Sequence, residues 1–99
     1  MSYKIQWTLK SREDLRRHYA YLLDFDEDIA AHAYAAITKS VTLLETFPFS
    51  CRKAKGDDAF LRELVVPFGS SGYIVLFRVD DGKTVTVAAV RHQREDDYY

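Results

Sequence analysis

The strongest constraint on this chain's fold is that three strand-length apolar runs follow one another in its last third with only short breaks between them. They are residues 60–67, 74–79 and 84–90, separated by Phe68-Gly-Ser-Ser-Gly-Tyr73 and by an Asp81-Gly82 pair. Strands joined this closely pair antiparallel with their neighbours, so the pattern predicts a three-stranded meander, with Asp81-Gly82 supplying the positive φ angles of a tight hairpin. Arg62, Arg78, Arg91, His92 and Arg94 are set into or just beyond these strands. Apolar strands have no need of such cations, which makes them the first candidates for contact with a target or partner.

Upstream, residues 3–8 alternate, with Tyr3, Ile5 and Trp7 on one side and Lys4, Gln6 and Thr8 on the other. This predicts a first strand with Trp7 toward the core. Ser11 is a suitable N-cap for a helix that carries Glu13 and Asp14 in its first turn, presents Leu15, Tyr19, Leu22 and Leu23, and ends near Phe25. Asp26-Glu27-Asp28 breaks that helix and caps a second, predicted from Ile29 to about Thr46, with Ile29, Ala33, Ile37, Val41 and Leu44 on its apolar stripe. Pro48 prevents its continuation.

So short a junction makes the two helices an antiparallel hairpin. Residues 49–58 read as an exposed loop. The expected fold is α+β in a single domain spanning 1–99. A strand and a helical hairpin precede the meander, the helices lie on one sheet face, and the first strand pairs at an edge or beside the last.

Composition removes several classes of function. Formal net charge is −1, so attraction to nucleic acid would have to come from a local patch. A single cysteine, Cys51, rules out an internal disulfide and fits a reducing compartment, although Arg52 and Lys53 beside it favour a lowered thiol pKa. No apolar run approaches the ~20 residues of a membrane span, and the opening residues lack a signal-peptide layout. The expected location is the cytoplasm, away from any membrane.

His18, His32 and His92 are too scattered to suggest a metal, and no cofactor motif is present. The Phe68-Gly-Ser-Ser-Gly stretch lacks the lysine and following helix of a phosphate loop. It reads as a hairpin connection in which Gly69 and Gly72 serve backbone geometry. Arg62 and Arg78 have a plain structural reading as partners of Glu63, Asp80 or Asp81, and Tyr19, Tyr21 and Tyr34 as packing residues with wet hydroxyls.

The run Arg62-Glu-Leu-Val-Val-Pro-Phe-Gly-Ser-Ser-Gly-Tyr-Ile-Val-Leu-Phe-Arg78, with Val87-Ala-Ala-Val-Arg-His-Gln-Arg-Glu95 after it, closely resembles the ParE branch of the RelE/ParE toxin superfamily. The element order is similar over essentially the whole chain. The resemblance implies the toxin of a type II toxin–antitoxin pair, of the kind that stabilises plasmids, held in a hetero-oligomer by a ParD-like antitoxin. ParE relatives are described as non-enzymatic inhibitors of DNA gyrase. RelE relatives are ribosome-dependent endoribonucleases.

The chemistry separates these branches. Cleavage at a 2′-OH needs a proton acceptor, cations for the developing phosphorane charge and an acid for the leaving oxygen. RelE-like nucleases carry an arginine just before the Ser-Gly-Tyr region, where this chain has Phe68-Gly69. His92, Arg94 and Tyr98 or Tyr99 remain as candidates for nuclease chemistry. The net charge, and the Glu95-Asp96-Asp97 run beside these cations, favour a protein target over RNA.

The reading is therefore a gyrase inhibitor whose C-terminal sheet and tail, with Arg62, Arg78, Arg91, His92 and Arg94, contact target or antitoxin. An RNA-cutting toxin and an inactive antitoxin-binding relative are the alternatives. Helix one and the open sheet face form the expected antitoxin surface.

Overall fold

A computed structural model describes residues 2–95, 97 and 98; Tyr99 and Asp96 lie outside the described residues. In chain order the elements are β1 (Lys4–Trp7), α1 (Leu9–Leu23), α2 (Glu27–Thr42), β2 (Arg52–Lys53), β3 (Leu61–Phe68), β4 (Ser71–Val79) and β5 (Thr84–His92), with short 3₁₀ turns at Leu43–Glu45 and Pro48–Ser50. One sheet runs in the order β1-β5-β4-β3-β2, antiparallel except that β1 joins β5 in parallel. The predicted α+β order holds, and the first strand lies beside the last. The expected exposed loop instead contributes a fifth strand, because Arg52 and Lys53 pair with Glu63 and Arg62.

Both helix starts differ in detail from expectation. Thr8, rather than Ser11, caps α1: its N–H is held by Val87 O at 3.1 Å, and its Oγ1 accepts from Ser11 N at 3.1 Å. The chain thus turns into helix as soon as it leaves the sheet. Ser11 is fully buried, and Asp14 lies beyond the first turn with its side chain against β5. Asp26 caps α2 through Asp28 N at 2.8 Å and Ile29 N at 3.1 Å, so the helix begins at Glu27. Ile29 is turned outward and Ala30 takes its place on the buried stripe with Ala33, Ile37, Val41 and Leu44. Alanine at the first two of these positions lets the helices approach closely.

The β3–β4 register settles which side chains share a face. Leu64 and Val66 stand opposite Val75 and Tyr73, and all four belong to or pack on the helix-covered core with Phe77 at its centre. Leu61, Glu63 and Val65 face the other way, opposite Arg78, Leu76 and Ile74. On β5 the alternation changes phase. Phe77 pairs with Val87 but Leu76 pairs with Ala89, so Ala88 is one residue too many and forms a bulge. Val85 and Val87 face the helices before it, and Val90 and His92 after it. Without the bulge, strict period-2 alternation would point Arg91 into the core.

Glycine sets the turn at one of the two hairpins of the meander. Phe68 pairs with Ser71, leaving Gly69-Ser70 as a two-residue loop with Gly69 at φ +61°, the pattern of a type II′ hairpin. Asp81-Gly82 does not behave as predicted, since Gly82 has no positive φ. The chain reverses there through Asp81 Oδ1, which accepts from Lys83 N at 2.8 Å, while Asp80 N reaches Thr84 O at 2.9 Å. Gly72 is required for a different reason: a Cβ there would collide with the Val66 carbonyl and lie 3.1 Å from Phe68 N. Gly72→Ala is expected to destabilise the protein by about 1–3 kcal/mol in urea denaturation. Gly82→Ala, with open space around it, should be close to neutral; equal stability of the two variants would contradict this register.

Candidate functional site

The predicted cations divide into two groups at different places in the sheet. Arg91, His92 and Arg94 lie at the end of β5, whose outer edge loses its strand partner once β1 ends at Trp7. Side chains take over the pairing. Thr8 Oγ1 donates to Ala88 O at 3.1 Å, Val90 N donates to Asp14 Oδ2 at 2.9 Å, His18 Nε2 meets Val90 O at 3.1 Å, and His92 N donates to Glu95 Oε1 at 2.9 Å. Because a carbonyl only accepts, His18 carries its proton on Nε2.

Asp14 and His18 are both buried. Lys10 lies 2.9 Å from Asp14 Oδ2 and Arg17 lies 3.8 Å from its Oδ1. Burial lowers the His18 pKa, and Arg17 lowers it further, against the Val90 carbonyl, Glu95 and Asp14, which favour the charged ring. Burial would raise Glu95, but the His92 amide and Arg17 outweigh it and leave its carboxyl below the usual range.

His92 faces the helix side, with its ring 5.4 Å from Tyr73. Arg94 N donates to its Nδ1 at 3.1 Å, which places the ring proton on Nε2, 3.1 Å from Ser71 Oγ. His92 therefore donates to Ser71 and is not arranged to remove that hydroxyl's proton. Burial, and then Arg94, lower its pKa, so the ring is neutral at pH 7.

Arg91 points to the opposite face. There its guanidinium lies 5.2 Å from the Tyr98 ring centre and donates to Glu95 O at 2.6 Å. Tyr98 donates to Glu63 Oε2 at 2.6 Å, and Glu63 Oε1 also holds Arg52 at 3.0 Å. Burial, and then Glu63, push the Tyr98 hydroxyl far up, so it stays protonated. Tyr98 thus covers part of the sheet face expected to be open. His92 and Tyr98, paired in the sequence as nuclease candidates, stand on opposite faces, and the Arg94 side chain is exposed.

Arg62 and Arg78 belong to the other end of β3 and β4. Arg78 binds Asp58 and lies 4.0 Å from Asp80, in keeping with its plain structural reading. Arg62 has no carboxylate partner among the described residues. It donates to Ala59 O at 2.9 Å and Cys51 O at 2.8 Å, and lies 5.1 Å from the Phe49 ring centre. Burial raises the Cys51 thiol pKa, with Arg62 and Ser50 opposing, so the lowering that Arg52 and Lys53 could have brought does not prevail.

Two further surfaces were not singled out in the sequence. A groove of about 640 Å³ runs between the helical hairpin and β1, lined by Ile5, Trp7, Leu15, Tyr19, Tyr34 and Val41, with Arg12 and Arg16 also contributing. Phe47, Phe49 and Phe60 are 64%, 45% and 51% exposed. No described helix is long and apolar enough to cross a membrane.

Among known proteins, the family model for the ParE toxin of the type II toxin–antitoxin system parDE matches residues 5–97. The chain is similar in structure to a chain of the chromosomal ParDE toxin–antitoxin system of P. aeruginosa, at TM-score 0.74 and 20% identity, covering 92% of this chain and 96% of that one. It is also similar to a chain of the RelBE2 complex of Mycobacterium tuberculosis, at TM-score 0.60 and 22% identity over 94% and 100%. A third similar structure is a conserved hypothetical protein of Helicobacter pylori, at TM-score 0.58 and 17% identity over 96% and 98%. No curated protein matches the chain.

The buried imidazole has a consequence for stability. His18 binds a proton less readily folded than unfolded, so its contribution is complete above the unfolded pKa and is lost as pH falls below about 6.5. His92 acts in the same direction over the same window. Urea denaturation should show falling stability from pH 7 to pH 5.5, with a shallower fall for His18→Gln. An identical slope in that variant would contradict the buried neutral ring.

Proposed function

We propose that this chain, which belongs to the ParE toxin family of type II toxin–antitoxin systems, arrests growth by binding DNA gyrase and blocking replication, until a cognate ParD-like antitoxin neutralises it in a hetero-oligomer. The observation that carries the choice of a protein target is the placement of His92 and Tyr98 on opposite sheet faces. Cleaving RNA requires acid, base and cation around one phosphate. Here the imidazole donates to Ser71, the tyrosine donates to Glu63, and the Arg91 guanidinium donates to a backbone carbonyl. The net charge of −1 adds to this, because RNA-lined sites are entered with the help of excess cations.

The groove between hairpin and β1 is the surface best suited to the antitoxin. It is mainly apolar, and its charged lining is Arg12 and Arg16 against the single acid Glu45, which suits an amphipathic helix with acidic residues on its flank. This keeps helix one as the expected antitoxin surface and adds β1 to it. The sheet face opposite the helices is less available, because Tyr98 lies over it. Within this reading Arg62 and the exposed Arg94 remain binding cations, whereas Arg78, Arg91 and His92 serve mainly to hold the sheet ends.

Controlled expression without antitoxin, followed by pulse labelling, distinguishes the targets. DNA synthesis should stop before protein synthesis, and purified protein should inhibit gyrase supercoiling. Translation stopping first, with cleaved messenger RNA, would establish the nuclease alternative; folded protein with neither effect would establish an inactive relative. The antitoxin surface has its own check. Thr38→Arg places a long cation in the groove and should preserve growth arrest while weakening antitoxin rescue by about tenfold or more. Undiminished rescue would move the antitoxin elsewhere.

A further inference from the structure

We infer that the surface this toxin presents to its protein target is the aromatic end formed by Phe47, Phe49 and Phe60 with Arg62 and Lys53, and that it takes an acidic, apolar segment of that target. The inference rests on the gyrase reading above and names the contact surface within it.

Aromatic side chains are normally drawn inside, since removing their large apolar surface from water is favourable. Phe49 and Phe60, each about half exposed and in ring contact, with exposed Phe47 two residues before Phe49 in the chain, make the kind of apolar surface that marks an interaction site. They are also held in place. The Phe49 and Phe60 rings meet edge to face at 6.1 Å between centroids. Arg62 ties the segments that carry them to β3, through the carbonyls of Phe49, Cys51 and Ala59. A patch fixed before binding loses little conformational entropy on docking.

The charge around the rings indicates what docks there. Arg52 and Arg78 are neutralised by Glu63 and Asp58. Arg62 spends its donors on neutral carbonyls, and Lys53, which stands opposite it in the β2–β3 register, has no carboxylate partner among the described residues. Two uncompensated cations beside exposed rings favour a carboxylate-bearing apolar segment. They are too few to hold a phosphate backbone, which needs a longer run of cations, whereas one or two carboxylates suffice to pair with them, and Asp58 in the neighbouring loop is already taken up by Arg78. None of these five residues lines the groove between hairpin and β1. The C-terminal cations are less suited to the role, because Arg91 and His92 are engaged within the fold.

The test compares wild type with Phe49→Ser/Phe60→Ser, Lys53→Glu and, as a control on the exposed side of α2, Lys39→Ala, each as the full chain. Binding to intact DNA gyrase and inhibition of supercoiling are measured, with thermal melts as the check on folding. The Phe pair and Lys53→Glu are each expected to weaken inhibition by about tenfold or more, while Lys39→Ala inhibits like wild type. The exposed Lys53 position keeps the test informative should the Phe pair fail to fold. Folded variants that inhibit as well as wild type would overturn this inference alone. So would wild-type binding to a labelled single-stranded RNA oligonucleotide that the Phe pair abolishes. Wild type without effect on gyrase would overturn the gyrase reading and this surface with it.

Discussion

The outer edge of β5 is the constraint on which the rest of this structure depends. A strand that outruns its neighbour exposes backbone groups that must find partners, and burial without them costs about 1–3 kcal/mol each. Past Trp7 the chain supplies those partners from helix α1 and the C-terminal turn, through Thr8, Asp14, His18 and Glu95. The arrangement explains why α1 begins directly at Thr8 and why a carboxylate and an imidazole are buried on its sheet-facing side. It also closes an edge that would otherwise recruit strands from other molecules.

The same constraint shapes function at the chain's end. The bulge at Ala88 turns Val90 toward the helices and Arg91 away from them, so successive residues in Arg91-His92 serve opposite faces. Glu95 is drawn inward to His92 N and Arg17, while the Tyr98 hydroxyl lies on Glu63 of the other face. Arg91 and His92, which in sequence look like part of one active-site cluster with Arg94, are thereby separated and engaged in the fold. What remains exposed is a different chemistry, an apolar groove beside the hairpin and an aromatic end with unneutralised charge. Both suit protein partners.

Much of the architecture was legible because it rests on periodicity. The helical hairpin and the meander follow from apolar spacing, and Gly69 and Gly72 were legible as glycines set by backbone geometry, although the strands run on to Phe68 and Ser71 and leave only two residues between them. Other features were not legible, because small or local events decide them. Ala88 and Ala89 give no sign of which is the bulge, and β2 is only two residues long. Thr8 outcompetes Ser11 as a cap only because a sheet hydrogen bond fixes it. Gly82 looked like a hairpin glycine, yet the Asp81 side chain makes the turn. For the site, the cations were identified but not their faces, which depend on register. Phe47, Phe49 and Phe60 were passed over because phenylalanine in sequence looks like core. Phe47 and Phe49 on either side of Pro48, and Phe60 just past the predicted loop, were the available clue.

The central claim is that this toxin acts by docking on a protein and not by cutting RNA. The most direct test is to incubate the purified chain with translating ribosomes and a defined messenger RNA, and to map any new 5′ ends. The account predicts an intact message at protein concentrations that inhibit gyrase. Codon-phased cleavage that disappears in Arg94→Ala would contradict it.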